Sequence, residues 1–353
     1  MAPNDGLFVA SAWLNVANTS SKLWYDSCPT APIIARLPTA CAAYPVGLGP
    51  RPTPRYNTMH ILFPSLPIAP TRPDPDYEAE YEAARAAGFS CALYELESLR
   101  AGDLRGSLRR CPAAPEAGEP LLYRGWMLSD TQYATLYSAL AQRGYQPLTP
   151  PEAYAEAHYL PLAYAHLRGH TPETVWMDGS DTGRAWELYG QVSDAPAILK
   201  DFVKSAKHRW REACYLPAHT TRPDFERTLA AFLYERGSLF EKGLVLRRYH
   251  PLVELGQNMQ GQPIHEEYRL FCFDGAIIAH APFRDPSALD ANRGLWQDLA
   301  ARFANRFITL DVAAQEDGSW LVVEAGDGGV SGLPLSIEPD AFYSALYQAC
   351  AQA

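Results

Sequence analysis

The stretch FITLDVAAQEDGSWLVVEAGDG, running from Phe307 to Gly328, decides the fold. Two apolar, β-favouring runs flank Asp317-Gly318, a dipeptide whose tolerance of positive φ makes it a hairpin turn signal. With a two-residue turn, Glu316 pairs with Ser319 and Asp311 falls directly opposite Glu324. The two carboxylates then share one face with Cβ atoms roughly 4.5 to 5.5 Å apart, a like-charge pair that is destabilising unless a cation or a proton neutralises it. Oxygen ligands at that separation suit Mg²⁺, which keeps waters and takes phosphate oxygens as further ligands. Asp327 has the wrong parity for that face, and only a break at Gly326 brings it in as a third metal ligand. A solvated acidic pair on an exposed face is the alternative.

Working outward, Tyr268 to Phe273 and Ala276 to Ala279 flank a second turn signal, Asp274-Gly275, and Gly243 to Tyr249 is a further strand. Ala288 to Arg306, Pro151 to Leu167 and the chain from Asp340 onward have helical spacing. Adjacent antiparallel strands make 151–353 an α+β unit. Residues 59–150 read differently. Strands at Met59–Phe63, Cys91–Tyr94 and Leu121–Tyr123 alternate with a helix over Asp76–Ala87, stopped by Gly88, and another from the N-cap Ser129 to Arg143. That alternation predicts a small α/β domain. Residues 1–58 carry a net +2 against −12 for the remainder, and eight prolines with no sustained period. They are expected to be a disordered extension or the product of an upstream start.

The whole chain has 353 residues and a net charge of −10, so it offers no general attraction to nucleic acid or an anionic membrane, and phosphate binding must be local. Its seven cysteines are scattered with no C-x-x-C pair, and no run of about 18 apolar residues occurs, which leads to the expectation of a cytoplasmic protein. Of only five lysines, Lys200, Lys204 and Lys207 follow the apolar run Ala197-Ile198-Leu199. A strand-end ammonium with two more on a following segment can bind and cover a polyphosphate as point charges; a solvated basic loop is the alternative. Arg247 and Arg248 are consecutive on a strand and point to opposite faces, so at most one reaches a given cleft. Arg124 ends a strand of the α/β domain, a common ligand position, with an ordinary salt bridge equally open. Gly326 to Gly332 is no dinucleotide loop, because Ser331 replaces the third glycine and Pro334 interrupts the following helix; His166 and His170 lack a third metal ligand.

The order of these features resembles the ATP-grasp superfamily over roughly 59 to 335. Tyr123-Arg124-Gly125-Trp126, Leu246-Arg247-Arg248-Tyr249, Glu267-Tyr268-Arg269 and Val323-Glu324-Ala325-Gly326-Asp327-Gly328 look most like its arginine-rich clade, named for two arginines and a lysine. The resemblance implies a small N-terminal α/β domain followed by two antiparallel-sheet subdomains clasping ATP. It implies Lys200 and Lys204 on the phosphates and Leu246 to Tyr249, with Arg247 and Arg248, at the nucleotide. Arg269 is implied near the transferring phosphate and Asp311 with Glu324 at Mg²⁺, with Lys200 and Arg269 catalytic; Asp327 as third metal ligand and Arg124 as a substrate ligand come from the reading of the residues above. Two departures stand out. Relatives commonly end the metal motif in Glu-x-Asn where Ala325 and Gly326 follow Glu324, and a charged Asp201 to His208 segment replaces their glycine-rich lid. The activity implied is an ATP- and Mg²⁺-dependent ligase that activates a small-molecule or peptide carboxylate as an acyl phosphate for an amine or other nucleophile. An ATP-dependent phosphotransferase and a non-catalytic nucleotide-binding module are the alternatives.

Overall fold

The computed structural model describes residues 59–259 and 263–352. The expectation for residues 1–58 lies outside the described residues. The first unit holds β1 (His60–Leu66), β2 (Ala69–Pro73), α1 (Glu78–Ala87), β3 (Ser90–Tyr94), α2 (Leu96–Arg100), α3 (Leu104–Ser107), β4 (Glu119–Tyr123), α4 (Asp130–Gln142) and β5 (Tyr145–Pro147). Strands β3, β1, β4 and β5 run parallel in that order, and β2 folds back antiparallel on β1. Helix α4 starts at a full capping box, Ser129 Oγ accepting from Gln132 N while the Gln132 side chain accepts from Ser129 N. Two helices, α5 (Pro151–His158) and α6 (Leu160–Leu167), replace the single helix expected after β5, because Pro161 cannot continue the backbone ladder.

Two antiparallel sheets follow. One comprises β6 (Thr174–Asp178), β7 (Ala197–Asp201), β8 (Tyr215–Leu216) and β9 (Gly243–Arg248) in the order β6-β9-β7-β8, backed by α7 (Thr182–Tyr189), α8 (Trp210–Ala213) and α9 (Arg222–Arg236). A small hairpin of β10 (Glu254–Gln257) and β11 (Pro263–His265) leads to the other sheet. That sheet comprises β12 (Glu267–Phe273), β13 (Ala276–His280), β14 (Phe307–Ala314) and β15 (Trp320–Asp327) in the order β13-β12-β14-β15, backed by α10 (Pro286–Ala301). Asp274 at φ 48° and Gly275 at φ 81° make the two-residue β12–β13 turn in the mirror-image conformation that the strand twist favours.

The last helix, α11 (Pro339–Gln352), does not stay with the sheets that precede it. Its Phe342, Tyr343, Leu346 and Cys350 join Ile61, Phe63, Ala84 and Phe89 of the first unit, and Phe271, Phe273 and Phe307 of the second sheet, in one core. Arg124 reinforces that junction. It is fully buried, grips Glu80 through Nε at 2.8 Å and Nη2 at 2.9 Å, and donates through Nη1 to the Ser331 carbonyl at 2.6 Å and to those of Gly328 and Gly329 at 3.3 Å. Tyr343 on α11 donates to the same Glu80 at 2.7 Å. Cys91, Cys111, Cys214, Cys272 and Cys350 are free, and no helix among the described residues is long and apolar enough to cross a membrane.

Replacing Arg124 with Leu strands Glu80 and three loop carbonyls in the interior, and a loss of about 3–5 kcal/mol is expected. Arg248→Leu breaks only surface pairs and should cost far less. Urea unfolding of the two variants checks this ranking, and equal losses would show that Arg124 is not the lock.

Candidate active site

The two antiparallel sheets present charged faces to one another. In the first, Lys200 lies opposite Val245 and Ile198 opposite Arg247, so all four share a face, while Leu199, Leu244 and Leu246 enter the core beneath α7 and α9. In the second, Arg269 lies opposite Asp311 and Asp311 opposite Glu324, which lines three charged side chains across three strands. Glu267 follows on the same face of β12, two residues from Arg269. The other face, carrying Leu270, Leu310, Val312 and Ala325, packs on Leu289, Trp296 and Leu299 of α10.

The β14–β15 hairpin reaches this register by a different route from a two-residue turn. Gln315 N donates to the Ser319 carbonyl and Gly318 N to that of Gln315, leaving Glu316-Asp317-Gly318 as a three-residue connection. Val312 consequently pairs with Val322, and that register continued would set Asp311 against Val323 and turn Glu324 toward α10. A bulge at Val323 absorbs one residue and restores Glu324 to the cleft face.

The electrostatics follow from burial without contact. Among the described residues neither the Lys200 ammonium nor the Glu324 carboxylate makes a hydrogen bond or ion pair. Burial pulls the Lys200 amine down to about 8 against the opposing pull of Glu324, and Arg247, Lys204 and Lys207 push the same way as burial. Burial alone would raise the Glu324 carboxyl, but Lys200, Lys204, Lys207 and Arg269 more than reverse it and hold it at about 2. Arg269 is bidentate on Asp311, Nε at 2.8 Å and Nη2 at 2.7 Å, with Nη1 on the Gly332 carbonyl at 3.1 Å. Asp201, next to Lys200, fixes the start of the basic segment by accepting from Val203 N and Lys204 N at 2.8 and 2.6 Å.

Two cleft residues are given no role by the sequence reading. Glu267 has its carboxyl raised by burial, with Asp311 and Glu324 adding to the effect against Lys207 and Arg269. Its even spacing from Arg269 is the available signal. His158, at the end of α5, stacks on Tyr154 at 5.2 Å and meets Tyr159 edge-on at 4.8 Å. Burial, then Lys204, lowers its imidazole to about 4 and keeps it neutral. Nothing in the sequence around it marks that position.

Several expected site residues are placed elsewhere. Asp327 continues the strand instead of breaking it, so it lies on the face opposite Asp311 and Glu324. There it accepts from Asn305 Nδ2 at 2.6 Å, Gly329 N at 2.8 Å and Thr149 Oγ1 at 3.3 Å, and burial pushes it up to about 6. Among the described residues no three acidic, histidine or cysteine side chains converge on a metal position. Arg124 has every donor group committed within the domain junction and none left for a substrate. Arg248 points away from Lys200 and pairs with Glu173 at 2.5 Å and Asp194 at 2.7 Å. Leu246 is fully buried mid-sheet between Val175 and Leu199. Tyr249 lies just past β9, bonded through its N to the Pro196 carbonyl and edge-on to Trp210 and Tyr215.

Comparison with known proteins identifies the architecture. Residues 188–346 match the model of an ATP-grasp domain, family 3 of the clade named for two arginines and a lysine. Among solved structures, the fold is similar to a RimK domain ATP-grasp protein from Sphaerobacter thermophilus, with a TM-score of 0.52 at 17% identity over 82% of this chain and 98% of that one. It is also similar to D-cycloserine synthetase DcsG, with a TM-score of 0.53 at 16% identity over 83% and 100% of the respective chains. The ATP-grasp ligase PsnB, in complex with a minimal precursor, Mg and ADP, gives a TM-score of 0.50 at 14% identity over 83% and 97%. No curated protein matches.

The charge balance at Lys200 can be measured directly. With five lysines in the chain, one ammonium resonance should titrate near pH 8 and vanish in Lys200→Met, while an ordinary lysine keeps its proton to about pH 10. Because the Glu324 charge favours the ammonium, Glu324→Gln should move that midpoint lower. An upward shift would mean that the two groups do not sense each other across the cleft.

Proposed function

We propose that this ATP-grasp superfamily protein is an ATP- and Mg²⁺-dependent ligase that activates a carboxylate as an acyl phosphate for attack by an amine or other nucleophile. The observation that carries the reading is the unpaired Lys200 facing the unpaired, ionised Glu324 between two sheets, with Lys204, Lys207 and Arg269 around them. Desolvated charges left without partners are destabilising, and the arrangement is complementary to a polyphosphate with its counter-ion.

Lys200, held on β7, supplies a fixed positive charge for a phosphate oxygen, and Lys204 and Lys207 add two more from the segment anchored by Asp201. Glu324 fits a hard divalent ion, being a carboxylate that stays ionised and has no hydrogen-bond partner of its own among the described residues. Asp311 is the second oxygen donor, shared with Arg269. Magnesium bound there would supply neutralisation of the charge spreading over the transferring phosphoryl group. Arg269, oriented by Asp311 and the Gly332 carbonyl, adds a planar guanidinium for the same developing charge.

In the reaction, a substrate carboxylate oxygen attacks the γ-phosphorus of ATP and the bond to the ADP oxygen breaks, giving an acyl phosphate and ADP. The nucleophile's nitrogen or oxygen then attacks the acyl carbon, loses its proton and expels inorganic phosphate. Neighbouring folds include D-cycloserine synthetase DcsG and the ligase PsnB complexed with a minimal precursor, and we take small-molecule and peptide carboxylates alike as substrate classes.

ADP release should require an acid, should rise when a nucleophile is supplied with it, and the product should then carry the mass of the condensed pair. Glu324→Gln should remove Mg²⁺-dependent turnover while the protein still unfolds in one cooperative transition. A phosphorylated acid that persists when amines are present would point to phosphotransfer, and nucleotide binding without turnover on any acid would sink the enzyme reading.

A further inference from the structure

Arg247 differs from fully buried Arg124 and half-buried Arg269 in what it holds. Arg124 and Arg269 each grip a carboxylate, whereas Arg247, 6% exposed, has no acidic partner within ion-pair distance among the described residues. It reaches instead across the cleft from β9 to the backbone of β15. Nη1 donates to the Val323 carbonyl at 2.5 Å, and Nη2 donates to the Val322 carbonyl at 3.3 Å and to Thr171 Oγ1. The Thr171 hydroxyl donates in turn to the Val322 carbonyl at 2.7 Å, and Val322 N donates to the His170 carbonyl at 2.7 Å.

The Val323 carbonyl belongs to the bulge that turns Glu324 into the cleft, and Val322, paired with Val312, is the residue just before it. A bulge leaves backbone groups outside the ladder, and without partners in a dry interior they would favour sliding back into register. Register here means function, because the slipped hairpin faces Glu324 toward α10. Holding the guanidinium there costs free energy: Nε is buried with no acceptor, and burial, opposed by Glu324, lowers the group to about 10. A surface or apolar residue at 247 would avoid that cost, so the interaction with the bulge is what the position is built around.

We propose that Arg247 is a positioning residue that locks the β15 bulge and thereby keeps Glu324 on the cleft face, acting through the metal-binding carboxylate and not by contact with nucleotide. The inference rests on the ligase reading only for the identity of the bound species. It also ties the two sheets together at the point where one supplies Lys200 and the other Glu324.

The test uses the full chain with Mn²⁺ and ADP as probes. ADP affinity is measured by calorimetry in EDTA, and Mn²⁺ affinity of the ADP-saturated protein by electron paramagnetic resonance. Arg247→Lys keeps the charge but cannot span two carbonyls and a hydroxyl, and Thr171→Val removes the hydroxyl while leaving the guanidinium in place. Mn²⁺ affinity should fall about tenfold or more in Arg247→Lys, the usual scale for removing a group that orients a ligand, and by a smaller factor in Thr171→Val. Metal-free ADP affinity should stay within about twofold in both, which also shows that the fold survives. An equal loss of metal-free ADP affinity in Arg247→Lys would make Arg247 a nucleotide contact and overturn the proposal, as would unchanged Mn²⁺ affinity in both variants. Should Arg247→Lys fail to fold, Thr171→Val decides alone. Parent protein that holds neither ADP nor Mn²⁺ overturns the ligase reading and this inference together; parent binding with indifferent variants overturns this inference alone.

Discussion

A lysine and a glutamate withdrawn from water on facing sheets, yet kept from touching, form the constraint around which this fold is arranged. If they met, each would neutralise the other and the cleft would lose its charge; if the sheets drifted apart, both would rehydrate. Lys200 is fixed by its pairing with Val245 of β9 and its bridge to Ser205, and Glu324 by its place opposite Asp311. The basic groups around Glu324 more than offset its burial, whereas the free energy needed to desolvate Lys200 comes from elsewhere, chiefly the aromatic and aliphatic clusters behind each sheet: Phe225, Leu229 and Phe232 behind one, and Leu289, Trp296 and Leu299 behind the other.

The buried arginines divide the remaining labour. Arg124 fastens the α/β unit to the loop that follows β15 by filling three carbonyls and one carboxylate at once. Arg269 holds Asp311 in a two-point grip, so that of the opposed acidic pair only Glu324 is left uncommitted. Asp311 therefore does two things: it offsets part of the repulsion between the carboxylates through its partner, and it aims that partner into the cleft. The like-charge opposition that looks costly in a pairwise reading is relieved sideways along the strands, with no cation required between Asp311 and Glu324 for the hairpin to fold.

Much of this is legible in the sequence, and the failures have identifiable causes. Alternation along β9 correctly restricts the cleft to one of Arg247 and Arg248, because strand parity is a hard geometric rule. The opposition of Asp311 and Glu324 follows in the sequence from a turn one residue too short, and a bulge invisible to pattern reading compensates for the difference. Asp327 is misplaced because the glycine before it looks like a strand breaker, whereas Thr309 and Ser331 pack around Gly326 and the strand runs on. The strand-end position of Arg124 suggests a substrate ligand; its true partners, Glu80 and the Ser331 carbonyl, are distant in sequence, and no local signal names them. Helix α9 is silent in the pattern for a related reason: Phe225, Leu229 and Phe232 owe their burial to tertiary packing against the sheet more than to a clean apolar stripe.

The segment after β7 shows how charge can substitute for a flexible glycine-rich cover. Asp201 pins its first residues to the end of the strand, while His208 and Arg209 both pair with Glu235 on α9, so the lysines between these anchors move with the sheet they guard. A loop built of glycines must be ordered by its ligand, and that ordering subtracts from affinity. Here the backbone is tied down before any ligand arrives, and only the long side chains of Lys204 and Lys207 remain to be fixed. The gain in preorganisation carries a matching dependence on electrostatics: three ammonium groups near one carboxylate attract a polyphosphate over distance but repel one another when it leaves. That repulsion adds to burial in lowering the Lys200 amine, so the cluster complementary to an anion is also one in which each ammonium makes the next easier to deprotonate.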